Sequence, residues 1–156
     1  MKKLIIILVL VTFNQLLNAQ TDLYFRIKKL MTETHPEINM DEKLLAFNIW
    51  STNDAESREA NKHFDRVYKI YEYARLKGGP KGIVAISFNK ENLSGMATIT
   101  QDRDGIVKLI RFKLDDLGSF ANTPVHNLVF DSKGAEVYKD LPADKIFGAV
   151  NQLITR

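Results

Sequence analysis

The sequence predicts an α/β domain with a mixed central sheet and helices on both faces. Three observations carry this. Residues 44–50 (LLAFNIW) and 82–88 (GIVAISF) are short, nearly continuous apolar runs without helical spacing. Runs of this kind read as strands buried on both faces, as in a central parallel sheet. Between them lies the best amphipathic helix pattern in the chain, so the two strands join through a helix and run parallel. Further on, two strand-like segments flank Asp131-Ser132-Lys133-Gly134, a turn sequence that closes an antiparallel hairpin.

Taken in order, the first element is a leader. Met1-Lys2-Lys3 is a positive start, Leu4 to Phe13 is apolar apart from Thr12, and Leu17-Asn18-Ala19 places a small residue at a cleavage position. This order predicts a secretory signal peptide over 1–19, cut after Ala19. The apolar run is roughly ten residues, whereas a membrane span needs about twenty, so no stable span is expected after cleavage. No Cys follows the run, which excludes a lipid anchor on cysteine. The mature chain is expected to be periplasmic or secreted. Loss of Lys2 and Lys3 lowers the formal charge from +3 to about +1. With no basic stripe interleaved with aromatics, no nucleic-acid partner is expected.

Residues 20–41 read as an N-terminal extension with a short helix at 22–34, on which Leu23, Ile27, Leu30 and Met31 share a face. His35-Pro36 ends it. The main domain spans 42–156. After the strand at 44–50, Asn53 and Glu56 have the spacing of a capping box. The helix that follows carries Ala60, Phe64, Val67, Tyr71 and Ala74 on one face and is expected to run to Lys77-Gly78-Gly79-Pro80. Tyr68 and Tyr73 are expected to flank that face with hydroxyls in water. A helix is expected within 91–101, and 106–113 is either a strand or its continuation. The hairpin strands are 127–131 and 135–139. Ile146, Phe147, Val150, Leu153 and Ile154 mark the inner face of a final helix, with Pro142 and Asp144 in its first turn.

Within this frame, Asn48-Ile49-Trp50-Ser51-Thr52-Asn53-Asp54-Ala55-Glu56-Ser57-Arg58 resembles the active-site segment of exported thioredoxin-like proteins of the TlpA/ResA type, which reads roughly N-F-W-A-T-W-C-P-P-C-R. Asn48, Trp50, Thr52 and Arg58 match. Thr123-Pro124, then Asn127 to Asp131, Gly134 and Val137-Tyr138 resemble the family's proline, strand, glycine and strand block. The resemblance covers roughly 42–154. It implies a thioredoxin-like fold and a cis bond before Pro124. It also implies a groove between the helix start and the proline loop, formed by Trp50, Asn53, Asp54, Ser57, Asn122, Thr123 and Pro124.

The departure from the family decides the chemistry. Asp54 and Ser57 stand at the two cysteine positions, and the chain contains no Cys. Disulfide exchange needs a thiolate nucleophile and a second thiol to resolve the mixed disulfide. Neither thiol–disulfide oxidoreductase nor peroxiredoxin activity is therefore expected, and no catalytic residue is assigned.

His35, His63 and His126 lack metal-ligand spacing, and Asp102-Arg103-Asp104-Gly105 is only a fragment of a calcium loop. No metal and no cofactor are expected. Ser57 and His126 are conceivable partners across the proline loop, but no orienting acid or oxyanion hole is apparent for them. The function expected is non-catalytic binding or scaffolding of another polypeptide of the cell envelope, since strand-like pairing in such a groove needs no thiol. The alternatives are a structural component of an envelope assembly, or an enzyme of non-thiol chemistry on the same fold.

Overall fold

In the computed structural model, residues 22–92 and 95–155 are described; the predicted leader over 1–19 lies outside them. Helix α1 covers 22–34. Strand β1 (Leu44–Trp50) leads to helix α2 (Ala55–Tyr71), strand β2 (Ile83–Asn89) and helix α3 (Gly95–Arg103). Strand β3 (Ile110–Lys113) precedes a 3-10 segment (Leu114–Phe120), strands β4 (Asn127–Phe130) and β5 (Glu136–Lys139), and helix α4 (Ala143–Asn151). The five strands lie in the order β3-β2-β1-β4-β5. β1, β2 and β3 are mutually parallel, β4 is antiparallel to β1, and β5 is antiparallel to β4. Every residue of β1 and β2 is buried, as a central parallel pair requires.

The register assigns the faces. Asn48 turns toward α2, where it bonds Ser57 and Asn61, and its neighbour Ser87 meets Gln101 of α3. α4 packs on α2. On the opposite face Phe47 packs against Phe88 and Phe130, with ring centroids 5.9 and 6.2 Å apart. Tyr24 of α1 stands edge-on to Phe130 at 5.6 Å. Helices therefore cover both sides, α1 on one and α2, α3 and α4 on the other. Leu23, Tyr24, Ile27, Leu30 and Met31 of α1 all enter the main core, so the 22–34 helix packs as part of the same body as the sheet. The fit is close at Gly134, whose φ is +87° and where a Cβ would lie 2.7 Å from the Tyr24 ring.

Several sequence expectations are corrected. α2 stops at Tyr71, short of Lys77-Gly78. Arg75 pairs with Lys81 and Leu76 with Ile154, so the backbone there serves short bridges instead of a helix. The same bridge draws Ile154 away from α4, which ends at Asn151. Tyr68 is 2% exposed rather than flanking the core, and burial pushes its hydroxyl up to about 12. β3 begins only at Ile110, because the amides of Val107, Lys108 and Leu109 are turned onto the Asp65 carboxylate at 3.0, 2.5 and 3.0 Å. Among the described residues no peptide bond is cis, so the bond before Pro124 is trans. Trans is favoured by about 0.5–1 kcal/mol for X–Pro, and the loop closes locally through Thr123 N–H onto the Phe120 carbonyl at 3.0 Å.

Candidate functional site

The loops at the C-terminal ends of β1 and β2 are held by side-chain hydrogen bonds. Asp54 is the N-cap of α2, in place of the Asn53–Glu56 box. Its Oδ1 accepts from the amides of Glu56 at 3.1 Å and Ser57 at 3.4 Å, two of the donors a helix start leaves unpaired. Asn and Asp both cap well, and the Oδ1 bonds to Glu56 and Ser57 place the cap at Asp54. Partial burial pushes the Asp54 carboxyl up, but hydrogen bonds from Ser57 and Glu56 outweigh it and hold the group below the usual carboxylate range.

Beneath the cap, Asn48 Nδ2 donates to the Ser57 carbonyl and to Asn61 Oδ1, both at 2.8 Å. Beside it, Glu91 accepts from Ser51 Oγ at 2.5 Å, Thr52 N–H at 3.2 Å and Asn89 Nδ2 at 2.6 Å. The Ser51–Asp54 loop is thus held by Glu91, just beyond β2, and by the Ser57 hydroxyl of α2.

The other wall comes from the hairpin. The Ile49 amide donates to the His126 carbonyl at 2.8 Å, extending the β1–β4 ladder toward the same end of the sheet. Pro124 is two residues away, at most about 7 Å along the chain. Asp140, in the left-handed region at φ 47°, accepts from the amides of His126 at 2.7 Å and Asn127 at 3.4 Å. The Asn127 side chain exchanges two 3.0 Å hydrogen bonds with the Leu141 backbone. Glu56 Oε1 accepts from the Ala143 amide at 3.2 Å, joining the starts of α2 and α4.

Between these walls lies a cavity of about 290 Å³. Asn48, Asp54, Glu56, Ser57 and Ala60 line it from β1 and α2. His126 and Asn127 border it from the start of β4, and the 140–143 segment closes it.

Of the seven residues predicted for the groove, Asp54 and Ser57 line this cavity. Asn53, Asn122 and Pro124 are exposed and Thr123 is half-buried, all on the loops beside it. Trp50 is fully buried, and its indole N–H has no partner among the described residues. Sequence reasoning missed Glu56 as a bridge and the whole 140–143 wall. The one available signal was Asp140-Leu141-Pro142, a polar-to-proline step immediately before a helix.

The arrangement limits the chemistry. With no Cys in the chain, no thiol–disulfide exchange can run through its own side chains. Ser57 is 7% exposed, and its hydroxyl is doubly hydrogen-bonded. It donates to the Asp54 carbonyl at 3.1 Å and accepts from the Ser51 amide at 3.3 Å. Ser57 and His126 border one cavity but share no hydrogen bond, so Ser57 lacks the base contact a nucleophile needs. Among the described residues no cluster of three or more His, Asp or Glu is arranged to hold a metal ion, and no helix is long and apolar enough to cross a membrane.

No protein-family model matches the chain, and no curated protein matches it in sequence. Solved structures do match. The thioredoxin domain of a thiol-disulfide oxidoreductase from Bacteroides vulgatus superposes with a TM-score of 0.57 at 13% identity, over 74% of this chain and 82% of that one. A thiol:disulfide interchange protein from Bacteroides sp. gives 0.54 at 14% identity, covering 72% and 73%. A secreted Mycobacterium tuberculosis disulfide oxidoreductase gives 0.53 at 10% identity, covering 73% and 84%. The chain therefore has a thioredoxin-like fold, and its structural neighbours are thiol–disulfide oxidoreductases of that fold.

Proposed function

We propose that this chain is an exported thioredoxin-like protein of the TlpA/ResA type that holds another polypeptide of the cell envelope without reacting with it. The leader over 1–19 would direct export and be removed, leaving the folded body periplasmic or secreted. The observation that carries this reading is the cavity of about 290 Å³ between the Asp54–Ser57 helix start and the hairpin exit. It lies at the helix start of the 48–58 segment, the stretch that resembles the family's active-site segment, in a chain that has no sulfur nucleophile. A groove beside a sheet end can hold an extended segment by backbone pairing and side-chain pockets alone. Ser57 and Asp54 supply the cap that keeps one wall in place.

The test is capture of partners from the protein's own envelope extract, with the wild type, Pro124→Ala and Asp54→Lys side by side. Circular dichroism would first establish that both variants fold. The reading expects the same partner to be lost or weakened in both. Full retention in both folded variants would move the binding surface elsewhere.

A further inference from the structure

We infer that the cavity selects a basic side chain, Lys or Arg, presented by the bound polypeptide. This rests on the groove reading above and adds what the groove recognises.

Most donors on its floor are already spent, leaving one Asn127 Nδ2 hydrogen and the exposed His126 ring at the rim uncommitted among the described residues. Asn48 Nδ2 bonds Ser57 and Asn61, Asn127 Nδ2 bonds the Leu141 carbonyl, and the Ser57 hydroxyl bonds the Asp54 carbonyl. What remains is mostly acceptor capacity. Asp54, Glu56 and Asp140 each commit one carboxylate oxygen to backbone N–H groups. Among the described residues their other oxygens, Asp54 Oδ2, Glu56 Oε2 and Asp140 Oδ2, accept no hydrogen bond. The committed oxygens fix the orientation of the free ones, so a ligand would meet preset acceptors.

No Lys or Arg lines the cavity. Lys90, exposed, acts on Asp54 only through space. Ala60, Leu141, Pro142 and Ala143 supply apolar wall between the carboxylates. An aliphatic stem ending in an ammonium or guanidinium group fits such a lining, because the stem packs on carbon while the head donates to carboxylates. An acidic side chain would meet three like charges, and a purely apolar one would gain nothing from the carboxylates, which are exposed to water.

The test is NMR titration of the 15N-labelled chain with the blocked pentapeptide Ac-Ala-Val-Arg-Val-Ala-NH2 and with versions carrying norleucine or Glu at the centre. The expected result is saturable shifts at 54–60 and 140–143 with the Arg peptide. The norleucine peptide should bind at least tenfold more weakly, and the Glu peptide should cause no shift. Asp54→Asn with Asp140→Asn keeps the capping oxygens and should lower Arg-peptide affinity at least tenfold, with the dispersed spectrum retained. Equal binding of Arg and norleucine peptides at the same residues would overturn the basic-side-chain inference and leave the groove standing. Shifts from no peptide at those residues would overturn both.

Discussion

Glu56, in the first turn of α2, accepts a hydrogen bond from the backbone N–H of Ala143, the first residue of α4. The two are 87 positions apart. Pro142, the N-cap of α4, offers no side-chain cap, so Glu56 takes that role from a neighbouring helix. Glu56→Ala should cost about 0.5–2 kcal/mol, the usual worth of a lost cap, and Glu56→Gln should recover most of it. Urea unfolding of the three proteins checks this. Equal stability of wild type and Glu56→Ala would show that the α4 start is held by other means.

Asp65 ties α2 to the chain entering β3. It is 3% exposed and bonds three successive amides together with Lys69. Burial pushes its carboxyl up, but the bonds from Lys69, Lys108 and Leu109 outweigh burial and hold the group below its ordinary 3.8. Its folded value lies below its unfolded one, so its contribution is full above the unfolded value and fades as pH falls through the folded one. Asp65→Asn should cost about 1.5–3 kcal/mol at pH 7, the range for hydrogen bonds to a charged group. The gap between variant and wild type should shrink below about pH 4. A gap independent of pH would remove the charge from the explanation.

At Gly134 backbone and packing restrict the residue together. With φ at +87° and the Tyr24 ring 2.7 Å from where a Cβ would sit, Gly134→Ala meets both strain and overlap. Strain in the left-handed region costs about 1–2 kcal/mol and overpacking about 1–3 kcal/mol. Tyr24→Phe keeps the ring and loses only the 2.9 Å bond to the Ser132 carbonyl, at about 1 kcal/mol. Thermal unfolding should rank Gly134→Ala well below Tyr24→Phe. The reverse order would contradict the packing of α1 on the hairpin.

The α2 start also has the layout to accept an introduced dithiol, with position 54 exposed and position 57 buried. Cα atoms three positions apart in a helical turn lie about 5 Å apart, within the Cα range of a disulfide. The double variant Asp54→Cys/Ser57→Cys should gain insulin reduction, while the wild type should give none. A rate from pure wild type would contradict the absence of thiol chemistry.

The chain's pattern carried the strands and helices further than it carried the site. β1 and β2 stand out because buried strands need unbroken apolar runs, and α2 because one of its faces packs on the sheet. The end of α2 was hidden because Arg75 and Leu76 find partners only at Lys81 and Ile154. The start of β3 was hidden because a distant carboxylate, Asp65, claims the amides before it. Asp54 and Ser57 could be read at a helix start. Asp140 and Leu141 could not, because the hairpin alone brings them against α2, and local sequence does not encode that approach.

The most direct test of the account is site-specific photo-crosslinking in cells, with benzoylphenylalanine at Asn53 and, separately, at Lys133. Asn53 is exposed beside the α2 start, and Lys133 is exposed in the hairpin turn at the other end of the sheet. The account predicts a discrete protein adduct from Asn53 and none of that size from Lys133. No adduct from Asn53, or the same adduct from both positions, would contradict binding at the cavity.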